Sequence, residues 1–187
     1  LQNYDFIYGH VPIDLHKYFN KKFFFVSLIR DPVERTLSHF NWALNRKYIS
    51  KSDNFEKLLL SKKIPSNVIV DQFSGKYLKK DINNISLISS AENNIKNNLD
   101  LLFDVKDIGV LLNFIISYYN LPNIFFQNQN VSTINKYDFT SKQVNIVKKY
   151  NELDIELYYK FSKKNLKLNK ITNEKEECSK CNGHEVV

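Results

Sequence analysis

The chain has no methionine, two cysteines, four glycines and four prolines among its 187 residues. Each shortage excludes something. Two cysteines, both in the terminal "CSKCNGHEVV", cannot build a disulfide framework. Cys178, Cys181 and His184 would supply three zinc ligands, but a structural site takes four and there is no second CxxC pair, so no metal is expected. No apolar run approaches the roughly 20 residues of a bilayer span. "LQNYDFIYGH" has neither the basic start nor the long apolar middle of a secretory signal. Without an initiating Met, the chain reads as a fragment or a trimmed domain.

What is present describes one domain with a sizeable core, 43% hydrophobic and 25% charged. Lys+Arg 27 against Asp+Glu 20 gives +7, a balance that suits an anionic partner. The lysines are spread as pairs (Lys21/Lys22, Lys62/Lys63, Lys79/Lys80, Lys148/Lys149, Lys163/Lys164) and read as solvated faces. The aromatics fall mostly at core spacing and do not interleave with lysines on one face, which argues against nucleic acid as the partner.

"DFIYG" reads as a short strand ending at Gly9-His10, and "VPIDLHKYF" as a short helix or turn. "KFFFVSLI" is a continuous run of aromatic and β-branched residues, as in a central parallel strand covered on both faces. It stops at Arg30, and a helix starts at once: Asp31 at N-cap, Pro32 at N1 and Glu34 at N3 form a capping-box arrangement. Val33, Leu37, Phe40 and Leu44 give that helix its inward face.

Further helices are expected in "SDNFEKLLL" and in "SNVIVDQFSG", the latter closed by Gly75. Ser89 and Glu92 form a second capping box, opening a helix that runs to Leu101 or Leu102. "FDV" reads as a short edge strand, and "IGVLLNFIISYY" as a helix buried nearly all round. After the polar loop "NQNVSTINKYDF", the segment "TSKQVNIVKKYNELDIELYYKFSKKNL" gives one long or two consecutive helices. Residues 1–166 form the expected domain and 167–187 a polar, disordered tail.

Arg30 at a strand end, with Ser38 two turns into the next helix, suits a phosphate: a charge-assisted contact plus a neutral hydrogen bond. The competing reading is a structural ion pair from Arg30 to Asp31 or Glu34. "IRDPVERTLSHF" resembles the 3'-phosphate-binding segment of sulfotransferases that use 3'-phosphoadenosine 5'-phosphosulfate (PAPS), especially carbohydrate enzymes of the heparan sulfate 2-O-sulfotransferase kind. "GHVPIDLHKYF", "SNVIVDQFSG", "AENNIKNNLDLLFDVKDIGVLLNFI" and "NELDIELYYKF" are similar to family segments in the same order, over roughly residues 5 to 162.

The resemblance implies an α/β, P-loop-like three-layer fold with a central, mostly parallel sheet and a helix-rich C-terminal half. It implies that Arg30 and Ser38 hold the 3'-phosphate of PAPS, that His10 is the base, and that Asn130, Ser132 and Lys136 contact the nucleotide. The acceptor would be a carbohydrate or polysaccharide hydroxyl. The family's N-terminal phosphosulfate-binding loop has no counterpart here, so weak PAPS binding and little turnover are expected of this chain alone. Membrane association would need an anchor outside these residues. Two alternatives stand beside this reading: an inactive sulfotransferase-like module that binds acidic glycans, and a relative of P-loop nucleotide kinases.

Overall fold

The computed structural model describes residue 13 and residues 24–75, 84–122 and 137–162. These hold a helix-rich, mixed α/β architecture in which two parallel strands organise the packing. Strand β1 (Val26–Ile29) leads into α1 (Pro32–Asn45), followed by α2 (Phe55–Leu60), α3 (Val68–Ser74) and α4 (Asn84–Asn98). Strand β2 (Leu101–Asp104) pairs with β1 in parallel, Val26 opposite Leu101 and Ile29 opposite Asp104. A 3-10 turn (Val105–Asp107) opens α5 (Ile108–Tyr118), and α6 (Ser141–Tyr150) and α7 (Glu152–Phe161) close the described chain.

The pleat divides the two strands between two cores. Ile29, Phe25 and Leu102 face one way, onto Ile69, Phe73, Ile95, Leu157 and Phe161 of α3, α4 and α7. Val26, Leu101 and Phe103 face the other way, onto Leu111, Phe114 and Ile115 of α5. A third cluster joins α1, α2 and α6 through Phe40, Phe55, Leu59, Ile64 and Val147. Asp100 ties the strand starts together, its carboxylate accepting from the Phe25 backbone N–H at 2.7 Å.

The start of α1 follows its sequence signal. The Asp31 carboxylate accepts from the backbone N–H groups of Val33 and Glu34, both at 2.9 Å, with Pro32 at the first helical position. The helices at 55–60 and 68–74 are where the pattern places them, and Gly75 closes α3 at φ 73°, the left-handed geometry that a residue without Cβ adopts freely. The last segment is two helices divided at Asn151. Thr140 and Gln143 form a reciprocal capping box at the start of α6.

Four expectations need correction. First, α4 begins at Asn84 and ends at Asn98, so Ser89 and Glu92 lie inside it; Glu92 instead pairs with Lys160 of α7 and Lys96, the latter at 3.7 Å. A capping-box spacing is short enough to occur by chance inside a helix. Second, burial of the strands is reversed: every residue of β2 is buried, whereas β1 leaves Leu28 38% exposed. Third, α5 is covered on one face only, through Leu111, with Ile108, Val110 and Tyr118 exposed. Fourth, the Glu34 side chain turns toward Arg30, while Asp31 serves as the cap. The strand expected at 5–9 and the tail at 167–187 lie outside the described residues, and nearly all of the helix or turn at 11–19 does too. Among the described residues no helix is long and apolar enough to cross a membrane.

Candidate functional site

The candidate site lies at the carboxyl end of the parallel pair, where β1 passes into α1 and β2 into its 3-10 turn. Arg30 leaves the end of β1 with its side chain 41% exposed, and its Nε lies 3.8 Å from a carboxylate oxygen of Glu34. Ser38 is exposed on α1 one turn beyond Glu34. Residues four apart on a helix are neighbours on one ridge, so Glu34 and Ser38 share a face, and Arg30 reaches that face through its ion pair. Neither Arg30 nor Ser38 is sealed in the core.

The structural ion pair weighed from sequence is therefore present, between Arg30 and Glu34. At this exposure and distance it contributes no more than about 1 kcal/mol. An incoming dianion competes with one carboxylate for the guanidinium. The helix N-terminus offers the anion less than its position promises, because Asp31 already accepts from Val33 and Glu34.

Arg35, the other arginine of the segment, is turned toward the interior. It is close enough to Asp154 of α7 to favour that carboxylate, and burial, helped by the Arg35 charge, lowers the pKa of His39. His39 is thus a neutral imidazole near pH 7, and its ring lies 5.1 Å from that of Trp42.

Opposite Ile29, the end of β2 supplies Asp104. Its carboxylate accepts from the Tyr158 hydroxyl at 2.5 Å and from the Lys106 backbone N–H at 2.9 Å. Burial pushes the Tyr158 phenol well above its usual range, helped by Asp104 and, more weakly, by the charges of Asp31 and Glu34. Tyr158 is therefore a protonated donor at any ordinary pH, and it anchors α7 to the end of β2. Sequence reasoning missed both residues. The only signal for Asp104 was an acid closing the apolar run "LLFD", and nothing local marks Tyr158.

His10, Asn130, Ser132 and Lys136 lie outside the described residues, so of the six candidates Arg30 and Ser38 alone are placed. Among the described residues no three His, Cys, Asp or Glu side chains gather in a way that would hold a metal ion. No family model, no curated protein and no solved structure matches this chain.

Proposed function

We propose that this chain is the 3'-phosphate-binding part of a PAPS-dependent sulfotransferase acting on a carbohydrate hydroxyl, on a three-layer α/β fold of the P-loop-like kind. The observation that carries this reading is the position of Arg30: a solvent-reachable guanidinium at the carboxyl end of a parallel strand, with a helical hydroxyl on the adjoining ridge. Arg30 binds the 3'-phosphate with charge-assisted hydrogen bonds, and Ser38 adds a neutral one. Asn130, Ser132 and Lys136 hold the remainder of the nucleotide. His10 takes the proton from the acceptor hydroxyl as its oxygen bonds to sulfur and the sulfur–oxygen bond to the 5'-phosphate breaks, leaving adenosine 3',5'-bisphosphate.

The test is a thermal-shift comparison of adenosine 3',5'-bisphosphate with adenosine 5'-monophosphate at millimolar concentration. The bisphosphate is expected to raise Tm and the monophosphate to leave it unchanged. Arg30→Ala removes about 2 kcal/mol of the interaction, roughly thirtyfold in affinity, and with it the discrimination. Equal shifts from both nucleotides would overturn the reading and favour a nucleotide-kinase-like site that ignores the 3' position.

A further inference from the structure

Among the described residues the sheet has two strands, so β1 has a neighbour on one side only. In a parallel ladder alternate residues turn their N–H and C=O groups to opposite edges, so part of the Val26–Ile29 backbone faces an edge without a strand. The side chains along that edge are uncovered as well. Leu28 follows Val26 onto the α5 side of the pleat and is 38% exposed. Phe24, 37% exposed, lies on the same side, its ring 5.8 Å from that of Tyr118 and 6.1 Å from that of Phe114. Two paired strands alone are marginal in water, and the edge from Phe24 to Ile29 carries no charged side chain that would deter another strand.

Ile13 shows where the chain before β1 runs. It is buried in the core that holds Ile29, Ile69, Ile95 and Leu157. The connection from β1 to β2 covers the same face, through α3 and α4. Crossovers between parallel strands are right-handed, and right-handed crossovers over one face always step across the sheet in the same direction. The passage from β1 to β2 is one such step, so a parallel strand before Ile13 falls on the other edge of β1, the one left open. Residues 4–9, "YDFIYG", supply an apolar run closed by glycine, as a strand covered on both faces requires. Residues 10–23 provide the dozen or more positions that a parallel crossover takes. We propose that residues 4–9 add to the open edge of β1 as a third parallel strand, covering Phe24 and Leu28 and bringing His10 to the carboxyl end of the sheet beside Arg30. The occupant is this segment and not a second copy of the chain, because a short tether gives it an effective concentration in the millimolar range. His10 and Arg30 each follow the last residue of a strand, so pairing with matched ends sets them on adjacent strands, about 5 Å apart at Cα. What that placement does for sulfuryl transfer rests on the function proposed above, whereas the pairing follows from packing and handedness alone.

Hydrogen exchange on the full chain tests the pairing without any substitution. Backbone amides within residues 5–8 are expected to exchange at least about a hundredfold slower than in an unstructured peptide, at every protein concentration. Disulfide trapping then reads the register. In a Cys178→Ser, Cys181→Ser background, Ser27→Cys is combined in turn with Phe6→Cys, Ile7→Cys and Tyr8→Cys. Side-by-side residues of paired strands point to the same face, and matched ends set Ile7 beside Ser27 and Tyr8 beside Leu28. Ile7→Cys should therefore cross-link within one chain under mild oxidation, and its two neighbours should not. Cross-links confined to Phe6→Cys and Tyr8→Cys would overturn the matched ends and with them the placement of His10. Exchange at the unstructured rate, cross-links in all three pairs or in none, or cross-links that join two chains would overturn the third strand itself. A failure of adenosine 3',5'-bisphosphate to raise Tm leaves all of these outcomes unchanged, so the strand and the nucleotide reading fail separately.

Discussion

Asp154 is fully buried and gives both carboxylate oxygens to backbone N–H groups of α3, Ile69 at 3.0 Å and Val70 at 2.7 Å. Arg30 is 41% exposed and meets one carboxylate at 3.8 Å. Both are charged groups at helix starts, and they are used in opposite ways. Around Asp154 the polar groups are mutually engaged. The Asn151 side chain accepts from the Asn67 N–H and donates to Val147 O, and Asn67 accepts in turn from the Asp154 N–H. Asn67 itself sits at φ 51° with no capping bond of its own to α3, so the helix is capped from another part of the chain. On the outer ridge of α1, by contrast, the groups face water and are loosely held. A buried, engaged polar cluster fixes the fold, whereas an exposed, loosely paired one retains capacity for a ligand.

The sharpest way to test that contrast is Asp154→Ala. It leaves two buried N–H donors without a partner and removes the charge that faces Arg35, so a loss of about 4 kcal/mol is expected in urea unfolding. A loss below 1 kcal/mol would mean the cluster is not structural. Titration sharpens the comparison further. Burial raises the Asp154 carboxyl from 3.8 to about 6, against the pull of its two N–H donors and Arg35. The folded state therefore binds a proton more tightly than the unfolded chain does. This favours folding below the unfolded pKa and is lost as pH rises through about 6. Stability attributable to this group should fall by on the order of 3 kcal/mol between about pH 4 and pH 6, and Asp154→Asn should flatten that part of the profile.

Tyr158→Phe is expected to cost less, about 1.5 kcal/mol, because Asp104 keeps the Lys106 N–H when the phenol is gone. The smallest effect belongs to the ridge and has the opposite sign. Glu34→Gln removes the carboxylate that competes for Arg30, so stability should stay within about 0.5 kcal/mol. Binding of adenosine 3',5'-bisphosphate should tighten severalfold, read by the same thermal shift. Weakened binding would place Glu34 among the ligand's own contacts.

Much of the α1 ridge was legible in the sequence because its signals are local. The Asp31-Pro32 start, the inward spacing of Leu37 and Phe40, and the strand end at Ile29 lie within a few residues of what they govern. The α3–α7 cluster was not legible, since Asn67 and Asp154 are 87 positions apart and look like ordinary loop and helix-surface residues. The Ser89 and Glu92 signal misled for the related reason that a cap motif is defined by spacing, while the real helix start is decided by how far the packed face extends. The burial of α5 was overread because an apolar sequence states what a helix can cover and not how much neighbouring surface exists to cover it.

By itself, then, the sequence determined the strand–turn–helix unit at 26–45, the helical character of the terminal segment and the closure of α3 at Gly75, while the division of that segment at Asn151 came from the structure. Backbone sterics, capping and apolar period act over one or two turns of chain. Only the tertiary structure decided that Arg35 turns inward while Arg30 stays outside, that Asp154 caps a helix from another element, and that Tyr48 folds back onto Trp42. Those outcomes depend on desolvation and on partners far apart along the chain or placed by a turn's geometry, and no local pattern encodes them.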